Sequence, residues 1–235
     1  LSSEPVKDAT KDPEYLRIAE SVKEQIMSGT LLPGDRLPTE AEFTEQYKVS
    51  RSTVREALRM LATQNLTFTT RGVFGGTFIA HPTPEQVADS LELGFRLLVA
   101  NPDGLTARSL LEVREIVEVP AVMLAAQRIT PEQLIKLERS LKGNEPTILE
   151  RHERNRSFHQ YLIDAVDNEL LETVMQPIFA VINHRFRSDK DEPEFRAQVD
   201  RDHEEIFAAV KIGDGAAAAT AMREHLRRLE WAYLQ

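Results

Sequence analysis

Val49-Ser50-Arg51-Ser52-Thr53-Val54-Arg55-Glu56-Ala57-Leu58 is the stretch on which the reading of the N-terminal part of this chain turns. Ser50 is a helix N-cap residue, and Val54, Ala57, Leu58 and Leu61 recur at the spacing of one apolar helix face. The pattern predicts a helix over 51–65. A shorter helix is predicted just before it, over Glu40–Tyr47, with Thr39 as its cap and Glu42 at the third position of a capping box. Only Lys48-Val49-Ser50 lies between them, the tight connection of a helix-turn-helix.

Upstream, Leu16, Ile18, Ala19, Val22 and Ile26 predict a further helix over 14–28, stopped by Gly29, and Pro33-Gly34-Asp35 is a turn signal. Downstream, Leu66–Thr70 alternates and is rich in β-formers, Gly72–Gly76 is a glycine-rich turn, and Thr77-Phe78-Ile79 resumes strand character. A β-hairpin directly after a helix-turn-helix is a wing. The expected organisation is a flexible polar arm over 1–12, a winged helix-turn-helix DNA-binding domain over 13–80, and a proline-broken linker over 81–84. Residues 85–235 show only helical patterns, near 85–99, 105–128, 131–142, 147–166, 168–187, 193–212 and 214–233. The fold class is therefore mainly α: a winged domain followed by an all-α antiparallel bundle of six or seven helices, large enough to bury its own core.

Charge is distributed unevenly. The chain carries −9 overall, which is unlike a DNA binder, yet from Lys11 to Ala80 nine basic residues balance nine acidic ones. Between Arg51 and Arg71 four arginines face Glu56 alone, so a local basic surface precedes an acidic domain. No stretch approaches the roughly 20 apolar residues of a membrane span. The chain has no cysteine, which excludes disulfides, cysteine zinc fingers and thiol chemistry and suits the cytoplasm.

In a helix-turn-helix the second helix enters the major groove with its N-terminal residues against the bases. Arg51 and Arg55 lie four apart, about 40° on the helical wheel, opposite the apolar face. A guanidinium fork pairs with guanine or grips phosphate, and Ser50, Ser52 and Thr53 place hydroxyls at the positive end of the helix. The alternative is that Arg51, Arg55 and Arg59 form only a solvated helix face. Those stretches, together with Leu32-Pro33-Gly34-Asp35-Arg36-Leu37-Pro38-Thr39-Glu40 and Gly75-Gly76-Thr77-Phe78-Ile79, resemble the DNA-binding domain of GntR-family regulators. The resemblance implies that Ser50, Arg51, Ser52, Arg55, Arg71 and Gly72 contact operator DNA, and Arg36, Thr39 and Thr53 in the same motifs complete the candidate set. It departs at Ala41, where many members carry an arginine, so one DNA contact is missing.

In the helical part, Asn155 and His159 are four apart, and His203 and His225 lie on two further predicted helices. A single helical histidine is ordinarily a surface or core residue, but three imidazoles from three helices can converge in a bundle core and hold zinc or nickel, leaving a position open for water or a carboxylate. Asn155-Arg156-Ser157-Phe158-His159, Asp202-His203-Glu204-Glu205-Ile206 and Met222-Arg223-Glu224-His225-Leu226 are similar to the ligand-binding FCD domain of the FadR subfamily. That resemblance implies a divalent metal held by three histidines and an aspartate, and Asn155 stands where the aspartate is usual. Arg114 either anchors an effector carboxylate, as similar regulators do, or pairs with Glu118 one turn on. Asn183 and His184 are further candidates for lining an effector cavity.

The resulting expectation is a bacterial transcription regulator, a repressor, acting as a homodimer on near-palindromic double-stranded DNA. A small carboxylic acid would shift its affinity by favouring one arrangement of the paired winged domains. The rivals are a metal-dependent enzyme at His159, His203 and His225, for which no neighbouring base is apparent, and a ligand-independent architectural DNA binder.

Overall fold

A computed structural model of the chain describes residues 13–101, 103–141, 147–185 and 193–233. The N-terminal arm expected over 1–12 lies outside them. The chain divides into two compact units, one ending at Pro82 and the other beginning at Thr83.

The first unit contains α1 (Glu14–Met27), α2 (Glu40–Tyr47), α3 (Arg51–Thr63), β1 (Thr67–Thr70) and β2 (Gly76–Ile79). Its caps are those the residues call for. Thr39 and Glu42 exchange both bonds of a capping box, and Ser50 accepts from the Thr53 backbone N–H. Lys48, at φ 58°, adopts the left-handed conformation that ends α2 and turns the chain into α3. Ile18, Val22, Leu37, Phe43, Val54, Ala57, Leu61 and Ile79 make one buried cluster, so the apolar face of α3 points inward and Arg51 and Arg55 stay exposed.

β1 and β2 pair antiparallel with Thr67 opposite Ile79 and Thr70 opposite Gly76. The segment after the Pro33–Asp35 turn does more than turn. Leu37 N–H donates to the Thr77 carbonyl at 2.8 Å and Ile79 N–H to Asp35 at 2.8 Å, so residues 35–37 lie along β2 as a further edge of the wing. Alternation on that short stretch is masked by two prolines, which is why the sequence shows only a turn there.

The second unit is built of seven described helices: α4 (Pro84–Ala100), α5 (Ala107–Arg128), α6 (Pro131–Leu141), α7 (Ile148–Asp164), α8 (Glu169–Arg185), α9 (Pro193–Lys211) and α10 (Gly215–Tyr233). α4 begins inside the expected linker, because Thr83 caps it and Pro84 fits the first helical turn, where a missing N–H costs nothing. Thr106 and Thr147 cap α5 and α7 in the same way. α5 is central: it packs along α10 and also meets α7, α8 and α9. α10 starts close against α5, where a Cβ on Gly215 would lie a tight 3.0 Å from the Met123 carbonyl oxygen. Val122, Ala125, Phe158, Leu162, Met175, Ile206 and Met222 belong to a single core.

Candidate DNA interface and metal centre

On the winged unit, Arg51, Ser52, Arg55 and Arg59 are exposed on α3. Ser50 Oγ holds the helix end and lies 2.7 Å from Ser52 Oγ and 2.8 Å from Thr53 Oγ1, so three hydroxyls cluster where α3 begins. Arg55 is anchored by Glu40, with Nε donating at 3.0 and 2.9 Å to the two carboxylate oxygens. The pair is exposed and adds little stability, but it fixes the direction of the guanidinium. Two candidates have structural tasks. Thr39 is engaged in the capping box, which lowers the pKa of Glu42 through the Thr39 backbone N–H. Arg36 Nη2 donates to the Gly75 carbonyl at 2.7 Å and so clamps the wing. Arg71 and Gly72 are exposed in the wing turn, with Gly72 at φ 109°.

In the helical unit, α7, α9 and α10 bring His159, His203 and His225 together, each at most 1% exposed, with ligand nitrogens within 4.8 Å of one another. Two carboxylates orient them. His159 Nδ1 donates to Glu118 at 2.6 Å, and His225 Nδ1 donates to Asp202 at 3.1 Å. This leaves the Nε2 atoms of His159 and His225 without hydrogen-bond partners, together with both ring nitrogens of His203 and the Oδ1 of Asn155. Asn155 and His203 line one cavity. His203 is braced by Phe158, whose ring stacks on it at 3.9 Å between centroids.

Burial, above all, pushes the pKa of His159 down to about 4 and those of His203 and His225 below the usual histidine value. The rings are therefore neutral ligands near pH 7. Burial works against the Glu118 carboxylate, but Arg114 and His159 outweigh it and hold the pKa at about 2. Asp202 is likewise held at about 2 by His225, Arg228 and Gln198. An unmatched buried polar atom costs about 1–3 kcal/mol, and the three histidines that carry orphaned nitrogens converge on one another. With a carboxylate behind the far nitrogen of two rings, the set fits a small divalent cation.

Arg114 takes the pairing that the i,i+4 spacing allowed. It is bound to Glu118 through Nε and, at 3.3 Å, through Nη2, and its guanidinium lies 5.4 Å from the Phe179 ring centroid. Through Glu118 it is one link from His159. The side chains of Asn183 and His184, at the end of α8, lie outside those described. Sequence reasoning passed over the part played by Glu118 and Asp202. They are also the carboxylates whose absence counted against an enzyme, but each is tied up by an arginine and a histidine, Arg114 with His159 and Arg228 with His225, so neither is available as a base.

Residues 14–79 match the model for bacterial regulatory proteins of the gntR family, and residues 109–228 match the FCD domain. The chain belongs to the GntR family. It is 33% identical over 213 residues to the HTH-type transcriptional regulator LutR of Bacillus subtilis (strain 168), covering 87% of this chain and 94% of that one. It is 28% identical over 209 residues to the galactonate operon transcriptional repressor of Escherichia coli (strain K12), covering 87% and 90%. Among solved structures, Streptococcus agalactiae GntR aligns with a TM-score of 0.56 and 25% identity, over 93% of this chain and 99% of that one. This GntR-family protein is thus a DNA-binding transcriptional regulator and not an enzyme. No helix among its described residues is long and apolar enough to cross a membrane.

Proposed function

We propose that this regulator is a repressor whose hold on a near-palindromic operator is set by a small carboxylic acid. The acid is taken up beside a divalent metal, zinc or nickel, in the FCD domain, and the protein works as a homodimer in the cytoplasm. The observation that carries the reading is the convergence of His159, His203 and His225, each with a partnerless ring nitrogen, with Glu118 and Asp202 holding two of the rings from behind and Asn155 lining a cavity with His203. A bound divalent ion supplies a Lewis-acid position for a carboxylate oxygen.

The residues do the rest. Glu118 and Asp202 fix ring orientation, and Arg114 and Arg228 cancel their charges. Asn155 contributes an oxygen without charge, so the effector's carboxylate supplies the negative charge the protein leaves out. Arg114 reaches an effector by sharing its guanidinium with Glu118. The galactonate relative is named as a repressor of genes for a sugar acid, which favours both repression and an acid signal here. Exposed apolar residues, Leu93 and Leu97 on α4 and Ile116 on α5, are surface that a second copy would cover. On the winged unit, Arg51 and Arg55 read bases while Ser50, Ser52, Thr53, Arg71 and Gly72 meet the backbone.

The test is an operator titration of zinc-loaded protein against a panel of small carboxylic acids. At least one acid should weaken binding in the wild type and leave His203→Ala unchanged. Operator affinity indifferent to every acid in the panel would overturn acid sensing.

A further inference from the structure

The tip of the wing carries side chains that no part of the winged unit covers. Gly75 N–H donates to the Gly72 carbonyl at 2.9 Å, which closes a four-residue turn with Val73 and Phe74 as its middle residues. Val73 is 96% exposed and Phe74 92%. The same hairpin pairs its other two phenylalanines, since Phe68, 47% exposed, stacks on Phe78 at 5.6 Å. A hairpin that pairs its remaining aromatic rings and presents one at the tip has that ring aimed at something else.

The tip is also held stiff. Arg36 pins the Gly75 carbonyl from the body of the unit. A Cβ at Gly75 would meet the Thr70 carbonyl at 2.5 Å, so that position requires glycine, whereas one at Gly76 would meet only the movable Arg36 side chain, at 2.7 Å. Stiffness lowers the entropy lost when a protruding ring is immobilised by a partner.

Charge and continuity say which partner. From Ala57 to Pro84 the chain has Arg59 and Arg71 and no acidic residue. Arg55 and Arg59 of α3 line one groove with Thr70, Gly75 and Thr77 of the wing, so the tip continues the face that carries the recognition helix. A duplex whose major groove takes α3 presents its neighbouring minor groove to the wing.

We propose that Val73 and Phe74 are an apolar wedge that enters the minor groove beside the recognition helix and partly unstacks one base step. Apolar side chains used in this way kink the duplex. Pyrimidine–purine steps open most easily, so the wedge selects such a step without a base-specific hydrogen bond.

The experiment uses the full chain and a duplex that the wild type selects from a random pool, with 2-aminopurine placed in turn at the steps facing the wing. The wild type should raise the fluorescence at one step, and Phe74→Ala should abolish the rise and weaken binding on the order of tenfold. Phe74→Trp should keep both. A pool selected by Phe74→Ala should lose the pyrimidine–purine step at that place. The thermal midpoint should not move, because the side chain is exposed. A Val73→Ala, Phe74→Ala double variant that binds and unstacks the duplex like the wild type would overturn the proposal. So would a change in the sedimentation of the DNA-free protein on Phe74→Ala, which would assign the tip to a contact within or between copies of the chain.

Discussion

On the winged unit the groups facing a partner are exposed and supported within the chain, whereas in the helical unit they are buried and lack partners. Arg55 rests on Glu40, Ser50 closes the end of α3, and Arg36 clamps the wing, so this surface is complete before DNA arrives. The histidine site is the reverse: the Nε2 atoms of His159 and His225, both ring nitrogens of His203 and the Asn155 oxygen are out of water with nothing to bond. A surface of the first kind gains affinity from preorganisation. A site of the second kind is relieved when it is filled, so its ligand stabilises the unit around it.

The contrast can be pressed hardest at Arg114. Replacing it with alanine leaves the Glu118 carboxylate buried with His159 alone, and breaking such a pair costs about 3–5 kcal/mol. Urea unfolding followed by the fluorescence of Trp231, the chain's single tryptophan and a residue of α10, should show the loss in the helical unit. A loss below about 1 kcal/mol would mean that the pair is not structural.

On the winged side, Arg51→Ala with Arg55→Ala should lower operator affinity by about a hundredfold or more, since each two-pronged base contact contributes about 1–3 kcal/mol. The Trp231 unfolding curve should stay in place. Unchanged operator binding, read by fluorescence anisotropy, would remove α3 as the reading helix.

How far these positions could be found from the sequence also differs between the units. The caps at Thr39 and Ser50, the Lys48 turn and the glycines at 72, 75 and 76 are local signals, so α2 and the wing hairpin fall where the pattern places them, and α3 ends at Thr63, two residues early. Hidden there were the pairing of residues 35–37 along β2 and the clamp by Arg36, both contacts across about forty residues. In the helical unit the three histidines stood out through the family pattern, since spacing alone left them as ordinary helix residues. The Glu118–His159 bond spans 41 residues and the Asp202–His225 bond 23, and such partners appear only when α5, α7, α9 and α10 are packed.

A smaller effect tests Asn155. Supplying the absent charge with Asn155→Asp should tighten zinc binding by about tenfold, or about 1.4 kcal/mol, in a competition with a chelator. No change would place Asn155 outside the coordination sphere. Smaller still, Ser50→Ala removes a helix cap and should destabilise the winged unit by about 1 kcal/mol in far-UV circular dichroism melts, without shifting the Trp231 transition. A shift in both would mean that the two units do not unfold separately.

The most direct measurement is native mass spectrometry of the full chain, offered zinc and purified without chelator. The expected spectrum is a dimer with one divalent ion per chain and a small acid retained on it, both lost in His203→Ala. Wild-type protein that carries no metal and no acid under those conditions would contradict the account of the helical unit.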